Sequence, residues 1–185
     1  MKHSMLFLAD GFEEIEAIAT TDVLRRAGMI VNTVAINPSG NATGANGVTV
    51  TADTTIDKVE LTPDTDWLIC PGGMPGASNL AACGKLCNML TEHFERGGRI
   101  AAICAAPAVV LAPLGILKGR TATCYPGFES MVNDANMTGD PVVALDTLVT
   151  ANGPGNTIPF ALAIAALTCG TQKAADVAAG MMVRK

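Results

Sequence analysis

The sequence predicts an α/β fold in which helices cover both faces of a mainly parallel sheet, and three observations lead to this prediction. Apolar runs of strand length alternate with amphipathic stretches of helix length along the 185 residues. Several of these runs are continuously apolar, as in strands that are buried on both faces. Most of them end in turns rich in glycine, proline or other small residues. We therefore expect one three-layer domain that spans residues 1–185.

Each element follows from the spacing of its apolar residues and from the residues that end it. The first helix carries apolar side chains on one stripe and stops at Gly28. Pro107 suits the first turn of a helix, because its missing N–H is not needed there. The predicted strands are residues 5–9, 29–36, 48–52, 66–70, 99–103, 142–145 and 147–151. The predicted helices are residues 14–27, 85–96, 107–114, 158–167 and 172–179.

The balance of charged and apolar residues excludes several classes of protein. The chain has 12 Lys and Arg against 17 Asp and Glu, a net charge of -5, and no basic stripe, so we expect no nucleic-acid partner. Its longest apolar stretches, residues 101–110 and 159–167, are too short to cross a bilayer. The first residues lack the features of a cleaved signal peptide. These observations predict a cytoplasmic protein that does not associate with membranes.

The chain has six cysteines, and their spacing indicates neither disulfides nor a metal site. A cytosolic protein of this size keeps its thiols reduced. No CxxC or CxxH spacing occurs, so the usual structural zinc motif is missing. We expect no metal and no cofactor, and we expect most of the thiols to be small buried side chains.

Four turns fall where predicted strands end, and parallel strands bring such turns to one edge of the sheet. The most informative turn joins a strand that ends at Cys104 to a helix that begins at Pro107, with alanines between them. This is the arrangement of a nucleophile elbow, which aims the N–H of Ala105 at a developing oxyanion. The helix start adds partial positive charge, which favours the thiolate. A buried core cysteine is the alternative, and spacing alone leaves both open. The four turns comprise residues 10–16, 71–76, 104–107 and 152–157.

Two further residues could serve Cys104 from neighbouring turns. Gly73 offers a backbone N–H as a second oxyanion donor, although an ordinary turn is the alternative. Glu16 begins the first helix among apolar residues. If it faces the pocket, burial raises its pKa, and the carboxyl could hydrogen-bond a thiolate or transfer a proton. A solvated glutamate in a first helical turn is the alternative.

The two histidines give Cys104 no evident partner. His3 stands near the start of the chain, and His93 lies inside a predicted helix that precedes Cys104. A cysteine–histidine dyad needs its histidine beside the sulfur. We therefore expect chemistry that does not depend on a histidine base.

Four segments in this order and spacing resemble the DJ-1/ThiJ/PfpI superfamily, in its DJ-1-like branch. They are GFEEIEA at 11–17, PGG at 71–73, AAICAAP at 101–107 and NGPG at 152–155. The resemblance covers essentially the whole chain. It implies a flavodoxin-like α/β/α sandwich of the class I glutamine amidotransferase type, and a homodimer.

The resemblance also implies roles for individual residues. Cys104 would be a low-pKa, oxidation-prone cysteine, and Glu16 would be the protonated carboxyl that hydrogen-bonds it. Gly73 and Ala105 would be the backbone donors of the oxyanion site. Arg26 matches an arginine that contributes near the dimer interface. The further residues that we place around the pocket are Arg26, Gly72, Cys124, Tyr125 and Gly153.

Some positions depart from the family pattern. Tyr125 precedes Pro126 where the DJ-1-like branch often has a His-Pro pair, and a tyrosine is not a base near neutral pH. Ala105 stands where the protease-like branch has a histidine directly after the cysteine, so a peptidase is not supported. Cys124 could act as a second thiol near Cys104, but a disulfide would require suitable Cα spacing.

The resemblance implies two functions. The first is a cofactor-independent hydrolase or lyase of the deglycase or glyoxalase III type, in which a Cys104 thiolate attacks a 2-oxoaldehyde or a glyoxal adduct. Its partner would be a small aldehyde or a glycated substrate. The second is a redox-sensing, stress-protective or chaperone-like protein in which Cys104 is oxidised to sulfenic or sulfinic acid. The missing histidine favours the second slightly, and the residues alone leave both open.

Overall fold

A seven-stranded sheet forms the middle layer of the protein, of which the computed structural model describes residues 2–183. The predicted domain of residues 1–185 also includes Met1, Arg184 and Lys185, which lie outside the described residues. The strands, numbered in chain order, are β1 His3–Leu8, β2 Ile30–Ala35, β3 Asn41–Thr43, β4 Thr49–Thr51, β5 Thr54–Thr55, β6 Thr65–Cys70, β7 Arg99–Ile103, β8 Thr121–Ala122, β9 Asn136–Met137, β10 Val142–Ala144 and β11 Leu148–Ala151.

The strands of the main sheet lie in the order β10-β11-β7-β6-β1-β2-β5. Neighbouring strands are parallel except β10, which forms an antiparallel pair with β11. The prediction of a mainly parallel sheet is therefore confirmed. Two small ladders lie outside it: β3 with β4, and β8 with β9.

Helices pack in groups around this sheet and complete the predicted three-layer α/β architecture. The helices are α1 Glu14–Arg26, α2 Gly76–Ala82, α3 Gly84–Glu95, α4 Thr157–Cys169 and α5 Thr171–Gly180. Helix α4 packs against both α1 and α5, while α2 packs against α3. None of the helices within residues 2–183 combines the length and the apolar character needed to cross a membrane.

The central strands carry the core. Phe7 in β1, Leu68 in β6 and Ala101 in β7 are completely buried, and so are their neighbours on the other face of each strand. Covering both faces with helices explains why these strands read as continuous apolar runs. The carboxyl ends of β6 and β7 consequently meet at one edge of a rigid sheet.

Two predicted elements differ from the structure, and one helix of the structure was not predicted. Helix α2 was not expected, because its seven residues are too few to show a helical apolar stripe. The helix predicted over residues 107–114 is only Pro107–Leu111, with an i→i+5 hydrogen bond from Ala112 N–H to Pro107 O of 3.0 Å. The strand predicted over residues 48–52 is β4, which pairs with β3 in a separate hairpin rather than joining the main sheet.

Candidate active site

Cys104 occupies a strained elbow at the end of β7. Its φ is +63°, a left-handed conformation that costs a residue with a side chain about 1–3 kcal/mol. Two backbone hydrogen bonds hold it there: Cys104 N–H donates to Ala151 O at 2.9 Å, and Tyr125 N–H donates to Cys104 O at 2.8 Å. Buried Ala102 and Ala105 leave room for the bend. The elbow predicted from the sequence is present, and Cys104 is 8% exposed.

Gly72 separates the cysteine from a carboxyl group. A Cβ atom at Gly72 would lie 2.6 Å from the Cβ of Cys104 and 2.9 Å from Oε2 of Glu16. Its N–H donates a 2.7 Å hydrogen bond to the same Oε2. Only a glycine fits at this position, so Gly72 lets Glu16 approach Cys104 and also orients the carboxyl.

Glu16 is a completely buried carboxyl on α1. The side chain of Glu13 caps this helix by accepting a 2.7 Å hydrogen bond from Glu16 N–H, which fixes the backbone of Glu16. Burial raises the pKa of Glu16 to about 7, against the opposing effects of the Gly72 N–H and the Cys104 thiol. Within residues 2–183, its Oε1 has no hydrogen-bond partner of normal geometry. This oxygen is therefore free to accept or release a proton.

Burial and the negative charge of Glu16 raise the pKa of the Cys104 thiol to about 12. The N–H groups of Gly73 and Ala105 act in the opposite direction, because both stabilise the thiolate. The sequence predicts that the helix start after Cys104 favours the thiolate, whereas burial and Glu16 together raise the pKa of the thiol. The helix after Cys104 is the five-residue turn Pro107–Leu111.

Glu16 and Cys104 thus behave as one titrating pair. Above a pH of about 7, the two groups together hold one proton. With one proton the pair carries a single negative charge, and when that proton lies on Glu16 the carboxyl can donate a hydrogen bond to the thiolate sulfur. A thiolate at Cys104 therefore requires Glu16 to hold the proton.

A small cavity of about 170 Å³ opens onto the sulfur. Tyr125 and Phe128 face each other edge-on, with ring centroids 6.3 Å apart and planes at 82°. Gly153 lies behind Tyr125, where an added Cβ would be 3.3 Å from Cδ2 of the ring. The cavity is lined by Gly73, Met74, Cys104, Ala105, Tyr125 and Phe128.

The structure brings together most of the residues that the sequence places at the pocket, and it removes two of them. Arg26 was placed at the pocket wrongly. It lies at the far end of α1 from Glu16, about 15 Å along the helix axis, and pairs with Asp22 at 2.7 Å. Cys124 is a free, buried thiol that does not line the cavity, and burial raises its pKa to about 11.

Two lining residues, Met74 and Phe128, were missed. Met74 follows Gly73 directly, and Phe128 lies three residues after Tyr125. Their positions next to predicted site residues were the available signal. Neither side chain suggests chemistry by itself, so residue type gave no indication.

Both histidines lie at the opposite end of the strands. Nε2 of His93 is 2.8 Å from the backbone O of Asp66, near the beginning of β6. Nε2 of His3 is 3.4 Å from Oγ1 of Thr65, at the start of the same strand. Cys104 follows the other end of the neighbouring strand, so neither imidazole can serve it.

The family assignment follows from the whole chain as well as from the site. A model of the DJ-1/PfpI family matches residues 2–167. The chain belongs to the DJ-1/PfpI family. Oxidized DJ-1 from Toxoplasma gondii is 34% identical and superposes with a TM-score of 0.95, with 100% of both chains covered. The resemblance to the DJ-1-like branch of the family and the expected fold are both confirmed.

Two curated relatives in the DJ-1/PfpI family show how far the similarity extends. Protein DJ-1 homolog B of Arabidopsis thaliana is 37% identical over 176 residues, which are 95% of this chain and 40% of the relative. This chain therefore spans less than half of the Arabidopsis protein. Glutathione-independent glyoxalase DJR-1.2 of Caenorhabditis elegans is 36% identical over 162 residues, which are 87% of this chain and 85% of the relative.

Proposed function

We propose that this member of the DJ-1/PfpI family converts small 2-oxoaldehydes into 2-hydroxy acids through Cys104, without a cofactor. The observation that supports this most is the pair formed by the elbow cysteine and Glu16, a buried carboxyl with a pKa of about 7. The glyoxalase name of the C. elegans relative adds support. The cavity of about 170 Å³ favours free aldehydes over the glyoxal adducts of larger molecules.

The first step forms a bond between sulfur and carbon. As the Cys104 sulfur attacks the aldehyde carbon, its proton passes to the Glu16 carboxylate and the carbonyl electron pair moves to the aldehyde oxygen. The N–H groups of Gly73 and Ala105, which already point at the sulfur, can stabilise that oxygen. The oxyanion then takes the proton from Glu16 and becomes the hydroxyl of a hemithioacetal.

The second step is an isomerisation. Glu16 removes the hydrogen of the former aldehyde carbon as a proton, giving an enediolate, and returns that proton to the adjacent carbon, while the hydroxyl proton of the hemithioacetal moves to the neighbouring oxygen. The product is a thioester of a 2-hydroxy acid on Cys104. Water then attacks the thioester, the 2-hydroxy acid leaves and the thiol recovers its proton. The overall change adds one water and needs no oxidant or reductant.

Methylglyoxal is the substrate that tests this proposal. We expect the unmodified protein to produce lactate, and Cys104→Ser to produce none. Cys169→Ser is the matched control, because Cys169 is an exposed thiol at the end of α4, and it should keep the full rate. Lactate formation that does not depend on Cys104 would contradict the proposal.

The pH dependence tests the role of Glu16. If its carboxylate receives the thiol proton, kcat/KM should rise with pH through an apparent pKa of about 7. Glu16→Gln should remove this rise and lower kcat/KM by about 10²–10⁴-fold. A Glu16→Gln variant with the original profile would exclude Glu16 from the reaction.

Cys104 and the groups around it also support a second candidate function, in which the thiol is oxidised. Peroxide converts a thiol to a sulfenic acid and then to a sulfinic acid, releasing one water at each step. The N–H groups of Gly73 and Ala105 and a protonated Glu16 could hydrogen-bond the added oxygens. Mass spectrometry after mild peroxide treatment should show two oxygens gained at Cys104. If this occurs in a protein that forms no lactate, the redox function is the correct one.

We also propose a homodimer that buries an exposed apolar surface on α1. Ile15 is 57% exposed, Ile18 42% and Val48 54%. Glu14 joins the helix to the segment before Val48, because its carboxylate accepts hydrogen bonds from the backbone and side chain of Asn46 at 2.7 and 2.9 Å. Sedimentation should show a two-chain species that Ile18→Asp dissociates, and a monomeric unmodified protein would contradict this.

A further inference from the structure

The cavity at Cys104 is lined by apolar side chains and lacks a cationic one among the described residues. Met74, Tyr125 and Phe128 supply its large side chains, and the surface of the cavity is almost entirely apolar. Within residues 2–183, no Lys, Arg or His side chain lines it. A carboxylate or phosphate that entered would lose water without gaining a cation.

Glu16 makes entry of an anion still less favourable. It is completely buried, and Gly72 alone separates its Oε2 from the Cβ of Cys104. At a pH above about 7 the pair carries a net negative charge. An anionic ligand at the sulfur would therefore face a like charge at close range.

The aromatic part of the wall is fixed relative to the sulfur by backbone hydrogen bonds. Tyr125 N–H donates to Cys104 O at 2.8 Å, and Phe128 N–H donates to Tyr125 O at 3.1 Å. The edge-to-face contact holds the two rings together. A wall that is already ordered binds an apolar group without the entropic cost of arranging it.

We propose that Met74, Tyr125 and Phe128 make this site selective for uncharged 2-oxoaldehydes with an apolar substituent, and that carbonyl compounds bearing a carboxylate or phosphate are rejected. The choice of 2-oxoaldehydes rests on the proposed function. The selectivity against anions is a property of the cavity, and it can be measured without turnover.

Alkylation of Cys104 provides that measurement. Iodoacetamide and iodoacetate both form a carbon–sulfur bond and release iodide, while the thiol loses its proton, but the first reagent is neutral and the second is an anion. Peptide mass spectrometry follows the rate of alkylation of Cys104 by each reagent. The rate with iodoacetamide is divided by the rate with iodoacetate, and this ratio is divided by the same ratio for N-acetylcysteine to give a selectivity quotient. We expect a quotient of about tenfold or more in favour of iodoacetamide. A quotient near one would overturn the proposal.

A pair of variants tests whether the wall determines the selectivity. Met74→Lys places a cation at the cavity and should bring the quotient close to one or below it. Met131→Lys is the matched control, because Met131 is 52% exposed against 48% for Met74 and does not line this cavity. If Met131→Lys changes the quotient as much as Met74→Lys does, the effect comes from net charge and the proposal fails.

Turnover separates the selectivity from the proposed reaction. We expect kcat/KM for phenylglyoxal to equal or exceed that for methylglyoxal, and glyoxylate to be consumed at least about tenfold less efficiently. If no aldehyde is consumed while the alkylation quotient stays high, the proposed function fails and the selectivity for neutral ligands stands. If glyoxylate is consumed as efficiently as methylglyoxal, the selectivity is wrong even though the function is correct.

Discussion

The two ends of the central strands both contain buried polar groups, but these groups are held in opposite ways. At the amino ends, Nε1 of Trp67 donates to Oγ1 of Thr168 at 2.8 Å, and the guanidinium of Arg99 lies 5.5 Å from the Trp67 ring centroid. The same guanidinium is 3.6 Å from the carboxylate of Asp66. Burial lowers the pKa of His93, whose ring bonds to the backbone. The polar groups at this end have partners.

At the carboxyl ends of the strands, the buried groups are strained or lack partners. Cys104 has a strained backbone, and burial raises the pKa values of both Cys104 and Glu16. One oxygen of Glu16 lacks a partner within the described residues. Buried polar groups are normally satisfied, and strain persists only where the surroundings impose it. The comparison indicates that the amino ends stabilise the fold, whereas the carboxyl ends carry backbone strain and an unsatisfied buried carboxyl, as the proposed function requires.

The largest effect that we expect on stability comes from the pH dependence of Glu16. Its pKa is about 7 in the folded protein and about 4.3 in an unfolded chain, so the folded state binds more protons between these values. Stability should therefore fall as the pH rises from about 4.5 to 7, by roughly 3 kcal/mol in total. Glu16→Gln should remove this fall, which urea titrations at several pH values would measure. Glu60→Gln, at an exposed position, should retain it.

A smaller effect is expected from filling the space that Gly72 leaves. Gly72→Ala would force Cys104 and Glu16 apart, and overpacking of this kind costs about 1–3 kcal/mol. Lactate formation from methylglyoxal should fall at the same time. Gly84→Ala is the control, because an added Cβ there has nothing within 4 Å. Full activity in a folded Gly72→Ala protein would show that the approach of the two groups is not needed.

The smallest effect is expected at the amino ends. Trp67→Phe removes the hydrogen bond to Thr168 and should lower the free energy of unfolding by about 1–2 kcal/mol. Because this end is remote from the sulfur, kcat/KM for methylglyoxal and the rate of Cys104 alkylation should not change. A loss of activity without a loss of stability would contradict the division between the two ends.

Much of the fold and the centre of the site could be predicted from the sequence. Continuous apolar runs identify the buried strands, and the small residues around Cys104 identify the elbow, because both are local properties. The position of Gly72 between the side chains of Cys104 and Glu16 could not be predicted in this way. It depends on how β6, β7 and α1 pack, and no pattern within any one of these segments encodes it.

The differences from the predictions have separate causes. Arg26 lies ten residues after Glu16 on the same helix, so the helical rise already separates the two, and it was the resemblance rather than the spacing that suggested Arg26. The direction of the thiol pKa depends on the depth of burial and on the carboxyl that Gly72 admits. The helix after Cys104 was expected to be longer, because its apolar residues continue beyond the point where the i→i+5 bond ends the regular turn.

The hydrogen bond from Tyr125 N–H to Cys104 O leaves the side chain at position 125 free to be substituted during evolution. Because main-chain atoms make this link, it does not depend on which side chain stands at position 125. A histidine or a tyrosine there can be accommodated while Cys104 keeps its place. Under the proposed function, the side chains at 125 and 128 can therefore be exchanged to change the substrate preference without rebuilding the backbone around Cys104.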